Sequence, residues 1–221
     1  MPYESKVTIP LINTTKKDPL KFLERAELKQ MYEQLENMEE YEMLRLCRIQ
    51  VNTGMRFNEM VALNYTDDID LEKRIIHITK NYDAINKVFT SPKTGDSRSI
   101  DINVETATII KEQIEFDKLK MIKYNLSRKD PLLFRNKKDN PISLREINRK
   151  LKGIEIKDKS LTTHIFRHTF ITLMVEAGVP KELIARHVGH SSTKMIDRIY
   201  THFTAKMEKQ LRVEIEKFSA L

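Results

Sequence analysis

The spacing of apolar residues changes period twice along this chain, and that constrains the fold more than any other feature. Leu28, Met31 and Leu35 recur at helical spacing, as do Leu44, Cys47 and Val51, which Gly54 can end. The stretches D-I-D-L-E-K-R-I-I-H-I, K-V-F-T and S-R-S-I-D-I then alternate or carry β-branched residues around S-P-K-T-G-D, whose Pro and Gly suit a hairpin loop. Helical spacing returns over residues 104–124, 143–151, 162–177, 180–187 and 204–218, with Gly178 and Gly189 as stops and Pro180 at a helix start. The expected class is α+β, mainly α-helical with a small three-stranded antiparallel β-sheet. Residues 1–20 hold three prolines and no helical period, which reads as a linker or arm before a folded domain over residues 21–221. There is no internal repeat or low-complexity tract.

Of the 221 residues 40% are hydrophobic, enough for one large domain or two small ones with a real core. The net charge of +7 favours a polyanionic partner without establishing one. Its distribution says more: residues 24–42 hold seven acidic and two basic side chains, whereas residues 135–159 hold nine basic and four acidic ones. Lys137, Lys138, Arg145, Arg149, Lys150 and Lys152 in the basic stretch are candidates for phosphate contact, with a solvated surface as the plain alternative. Cys47 is the only cysteine, so no disulfide forms within one chain, and a buried bystander in a reducing compartment fits it. The start, M-P-Y-E-S-K-V-T-I-P, lacks the apolar core of a signal peptide, and the apolar runs elsewhere are short, so a cytoplasmic protein without membrane spans is expected.

Several polar residues stand where a solvated face does not explain them. In T-G-M-R-F-N-E-M a helix ends at Gly54 and another begins just after Arg56, which places the guanidinium at a junction; Glu59 can hold it in a bidentate pair. In L-T-T-H-I-F-R-H-T-F, His164 and Arg167 share the first turn of a helix whose opposite stripe is Phe166, Phe170, Leu173 and Ala177. A helix N-terminus also offers free N–H groups and a positive dipole end to phosphate. His164 and His168 have metal-ligand spacing, and His187 with His190 makes a second pair, so zinc is a rival. Against it, no carboxylate stands where a metalloprotease keeps its base, and Arg167 would repel a cation. Tyr200, in H-V-G-H-S-S-T-K-M-I-D-R-I-Y-T-H, would by itself read as a core residue.

Taken together, T-G-M-R-F-N-E, H-I-F-R-H, G-H-S-S and I-Y-T-H, in this order and spacing, resemble the catalytic domain of the tyrosine recombinases, above all the integrases of phages and conjugative transposons. The similarity runs over roughly residues 21–221. It implies the tyrosine recombinase catalytic-domain fold, with residues 200–221 as nucleophile segment and tail helix. It implies that Arg56 and Arg167 clamp the non-bridging phosphate oxygens, that Tyr200 attacks, and that His164 and His190 bond the phosphate or move protons. Lys93, in the hairpin loop, matches the lysine that protonates the leaving 5′ oxygen, with Arg98 or Lys87 as weaker candidates; Arg98 is otherwise a DNA contact. No metal or nucleotide cofactor is implied, because a phosphotyrosine link stores the bond energy for religation. The implied partners are double-stranded DNA at attachment sites, three further copies in a homo-tetramer on that DNA from a free monomer, and accessory DNA-bending or directionality proteins.

The chemistry suits those assignments. A free phenol titrates near pH ~10, so attack needs a base or a cationic field. Phe203, Met207, Leu211, Ile215 and Phe218 form an apolar stripe that must bury itself in cis or on a neighbouring protomer. The family's separate DNA-binding domain has no counterpart before residue 21, which is expected of a fragment of a longer integrase or of a minimal enzyme. Two other readings stay open. Residues 180–200 look like two short helices of a non-catalytic helix-turn-helix regulator, and a type IB topoisomerase would share the tyrosine chemistry.

Overall fold

A computed structural model describes residues 22–92, 97–126, 131–190, 193–194, 196–201, 212–213 and 215. Three helices open the domain: α1 (Arg25–Asn37), α2 (Tyr41–Thr53) and the single turn α3 (Phe57–Met60). Strands β1 (Ile69–Asp70), β2 (Ile75–Ile78), β3 (Asn81–Asp83), β4 (Val88–Thr90) and β5 (Arg98–Asp101) follow, then helices α4 (Val104–Tyr124), α5 (Leu144–Leu151), α6 (Thr163–Glu176) and α7 (Lys181–Val188). Residues 196–201 are helical again. The protein is thus α+β and mainly helical, with the helices where the apolar spacing puts them. The arm over residues 1–20, and the tail stripe apart from the exposed Ile215, lie outside the described residues.

The three-stranded antiparallel sheet is present, but its membership differs from the expected one. Its order is β1-β2-β5, with Ile69 opposite Ile76 and Ile76 opposite Ile100. The stretch D-I-D-L-E-K-R-I-I-H-I supplies two of these strands, because Asp70 accepts a hydrogen bond from the Lys73 N–H at 2.9 Å and Arg74 takes φ 56°, folding the segment back on itself. K-V-F-T joins no part of this sheet. It forms a separate hairpin with β3, in which Tyr82 faces Phe89 at 5.3 Å between ring centroids and every β4 residue is exposed. A short exposed strand has no apolar face to bury against β2, so local pairing wins.

One core joins α1, α2, the sheet, α4 and the start of α6; Leu46, Ile49, Ile76, Ile110 and Phe166 lie within it. Cys47 is wholly buried there, as expected of a bystander. A second, smaller cluster brings Phe170, Ile171 and Val175 of α6 together with Ile184 and Val188 of α7 and with Ile196 and Ile199. On α6, Phe166 and Phe170 are buried as the stripe requires, whereas Ala177 is exposed past the helix end. Arg135, counted with the basic stretch, contributes nothing to a positive face: it is fully buried and bonds Asp117, itself fully buried, at 2.7 Å. A buried carboxylate on α4 requires that partner, since either charge alone would be strongly destabilising. No helix among the described residues is long and apolar enough to cross a membrane.

Candidate active site

The site lies where the two cores meet, and two glycines in the left-handed region build it. Gly54 ends α2 at φ 64° and Gly189 ends α7 at φ 67°. At Gly189 the N–H groups of Gly189 and His190 reach back to the carbonyls of Arg186 and Ala185, a Schellman turn that presents His190 and leaves the carbonyls of Val188 and Gly189 pointing outward. At Gly54 the chain turns so tightly that a Cβ would stand 2.4 Å from the Phe170 ring of α6. Gly54→Ala is therefore expected to lose about 2–4 kcal/mol in urea unfolding, from backbone strain plus overpacking. A loss under about 0.5 kcal/mol, the size of an inert surface change, would show that Phe170 yields freely.

Two guanidiniums from different elements converge on consecutive carbonyls of that second turn. Arg167, in the first turns of α6, donates from Nη2 to Val188 O at 2.6 Å and from Nη1 to Gly54 O at 2.7 Å. Arg56, just before α3, donates from Nη2 to Gly189 O at 2.7 Å and from Nη1 to Glu59 Oε1 at 2.8 Å. Glu59 also accepts the Arg56 backbone N–H at 3.0 Å, so the two residues pair, but through one guanidinium bond rather than the expected bidentate fork. Arg167, opposite the apolar stripe of α6, is 5% exposed within the cleft. Burial, and after it the charge of Arg56, pulls its guanidinium down to about 9, and it remains a cation at neutral pH.

His190 is half-buried beside these cations, and its Nδ1 is buried without a protein partner among the described residues. Burial, then the charges of Arg167 and Arg56, lower its imidazole to about 4. His168 and His187 are lowered too, each mainly by burial. His187 bonds the Thr53 carbonyl through Nε2 at 3.0 Å and stacks on Phe170, so its ring closes the seam between α2, α6 and α7. The consequence for stability follows from the sign: between about pH 6.5, where an ordinary histidine titrates, and pH 4 the unfolded chain binds a proton that the His190 ring refuses, with His168 and His187 acting in the same direction. Stability present above pH 6.5 is therefore expected to decline across that window, and His190→Gln to flatten the decline in urea titrations at stepped pH. An unchanged slope would exclude His190 from the effect.

The remaining candidates fall in different places. His164 is exposed on the first turn of α6. Lys93 lies outside the described residues, and Lys87 is exposed at the β3–β4 turn. Tyr200 packs half-buried against the second core, and its hydroxyl donates to the Val179 carbonyl, beyond the C-terminal end of α6. Arg167 and Glu176 are separated by roughly 14 Å of helix rise, so the phenol is held away from the arginines. Lys181 fastens the neighbouring Asp197 at 2.8 Å. Of the basic residues, Arg145, Arg149 and Lys152 are exposed along α5, and Lys137 and Lys138 are exposed before it. Lys150 instead bonds Glu40 at 2.6 Å. No group of three or more His, Cys, Asp or Glu able to hold a metal occurs among the described residues, so the four histidines of the zinc alternative do not converge.

Arg98 is the residue whose place was least foreseen. Its side chain is 10% exposed and clamps Glu59 through both carboxylate oxygens, at 3.1 and 2.8 Å, while Nε donates to His187 O at 2.8 Å. It therefore does not stand on an exposed surface. The signal lay in the strand period: Ile100 points inward, so Arg98 two residues earlier does as well.

Comparison with known proteins gives one consistent answer. The model of the phage integrase family matches residues 21–207. The integrase of Staphylococcus phage L54a is 33% identical over 179 residues, 76% of this chain and 50% of that protein. A probable integrase of prophage ps2 from Lactococcus lactis is 31% identical over 202 residues, 86% of this chain and 53% of that protein. Among solved structures, the Tn1549 transposon integrase in complex with transposon right end DNA superposes with a TM-score of 0.70 at 21% identity, covering 89% of this chain and 67% of that one. The XerA recombinase gives 0.65 at 21% identity, covering 86% and 65%. The fold is therefore that of the tyrosine recombinase catalytic domain. The chain spans about half the length of the curated relatives it matches.

Proposed function

Because the chain belongs to the phage integrase family, we propose that it is the catalytic part of a site-specific tyrosine recombinase that cuts and rejoins DNA through a 3′-phosphotyrosine. The observation that carries this is the convergence of Arg56 and Arg167 on the carbonyls of Gly189 and Val188, beside His190. Each guanidinium has five N–H donors, and the two contacts each makes leave donors over for a phosphate. Their charges oppose the negative charge that builds on phosphorus during attack, and the half-buried cleft weakens water's screening of them.

The reaction follows from the residue chemistry. The Tyr200 oxygen bonds to phosphorus, the bond from phosphorus to the 5′ oxygen breaks, and the leaving oxygen takes a proton from Lys93. The phenol's proton goes to a neighbouring base, for which exposed His164 is suited. Neutral His190 bonds a phosphate oxygen through a ring N–H rather than as a cation. Tyr200 has to leave Val179 first, so engagement of DNA or of a second copy is coupled to movement of residues 196–201. The partner is duplex DNA, with four copies on paired attachment sites and Lys137, Lys138, Arg145, Arg149 and Lys152 contacting phosphates. This chemistry runs in the cytoplasm without metal or nucleotide.

A helix-turn-helix regulator is disfavoured because Ile184, Ala185 and Val188 of α7 are buried and the turn after it is occupied by both arginines. The deciding experiment incubates the chain with nicked suicide duplexes drawn from a site library and seeks covalent adduct on a denaturing gel. Adduct mapping to Tyr200 supports the proposal. Binding without adduct, persisting after a preceding DNA-binding domain is supplied, returns the regulator. Relaxation of supercoiled plasmid without joining of two sites indicates a type IB topoisomerase.

A further inference from the structure

We propose that Arg98 is a positioning residue of this site, holding Glu59 and the turn after α7 so that Arg56 keeps its charge and its aim; this rests on the recombinase reading above. Glu59 is 1% exposed and accepts from two guanidiniums at once, Arg56 at 2.8 Å and Arg98 at 2.8 Å. If Arg56 were its only cation, the carboxylate would neutralise the charge needed at the phosphate. With Arg98 on its other side, the three groups together retain one net positive charge. Burial pushes the Glu59 carboxyl up, but the hydrogen bond and charge of Arg98, and then the bonds from Arg56, outweigh it and leave it lowered, hence ionised.

The same guanidinium binds the other wall of the cleft. Its Nε donates to His187 O, two residues before the Gly189 carbonyl that receives Arg56. A Cβ on Gly189 would lie 2.7 Å from Arg98 Nη1, so the turn is packed directly on this side chain. Arg98 thus joins strand β5 to α3 through Glu59 and to α7 through a carbonyl, and a planar five-donor fork is required to do both. Lysine at this position keeps the charge but forms one point contact.

The test compares wild type, Arg98→Gln and Arg98→Lys in single-turnover adduct formation at saturating DNA, with affinity measured separately. Arg98→Gln is expected to slow the saturated step by ~10²-fold, the size of a lost preorganised charge effect, with affinity within about threefold, under 1 kcal/mol. Arg98→Lys is expected to fall between. Weakened affinity with a salt slope reduced by about one and an unchanged saturated step would make Arg98 a phosphate contact and overturn the proposal. A second readout needs no cleavage: the His190 ring titration followed by NMR, assigned with His190→Gln. Its midpoint is expected to rise in Arg98→Gln, because one of the charges that lower the ring is gone; an unmoved midpoint in a folded variant overturns the proposal. If wild type forms no adduct even with a preceding DNA-binding domain supplied, the recombinase reading fails by itself and the His190 titration alone judges Arg98.

Discussion

Tyr200→Phe is expected to abolish covalent adduct while DNA affinity stays within about twofold, well under 1 kcal/mol. The phenol oxygen is the atom that joins phosphorus, and a phenyl ring has nothing to put in its place, so the loss is complete rather than graded. Folding should scarcely change. The hydroxyl's bond to the Val179 carbonyl is part-buried, and such a bond is worth about 0.5–1.5 kcal/mol net, while the ring keeps its packing on the second core. Denaturing gels, filter binding and urea unfolding on the same preparations separate these effects. Adduct persisting in the phenylalanine variant would mean another nucleophile and would remove Tyr200 from the mechanism.

Arg167→Ala is expected to reduce adduct formation by ~10²–10³-fold, and unlike Tyr200→Phe it should also destabilise the fold. Its two bonds satisfy the carbonyls of Gly54, which follows α2, and of Val188, which ends α7. Leaving a buried acceptor unpaired costs about 1–3 kcal/mol. Part of that is offset, because Arg167 is buried near the like charges of Arg56 and Arg98. A net loss of about 1–3 kcal/mol in urea unfolding follows. Arg167→Lys should recover part of the stability, through one carbonyl, and little of the rate, because a point charge does not reproduce the fork. Stability lost with cleavage unchanged would assign Arg167 to architecture alone.

Legibility in the sequence was greatest where the signal is short in range. The apolar stripes of α1, α2, α4 and α6, the stops at Gly54 and Gly189, and the junction at Arg56 all reflect neighbours within a few residues. The chemistry-bearing residues were legible as types in order, since Arg56, His164, Arg167, His190 and Tyr200 recur in short motifs. The membership of the sheet was not. D-I-D-L-E-K-R-I-I-H-I and K-V-F-T have similar strand composition, and only the turn at Arg74 and the exposed face of β4 separate them.

By itself, then, the sequence determined the mainly helical α+β class and the order of helices and strands, and it nominated the residues proposed to handle a phosphate, because periodicity and turn chemistry are local. Tertiary structure decided the rest. Arg56 meets Gly189 across 133 residues, Arg167 meets Gly54 across 113 and Arg98 meets His187 across 89. No local pattern specifies which carbonyl a guanidinium reaches over such separations, since that depends on how two cores pack. The same packing turned Arg98 inward to Glu59 and held the Tyr200 hydroxyl on Val179, away from the arginines it shares a motif set with.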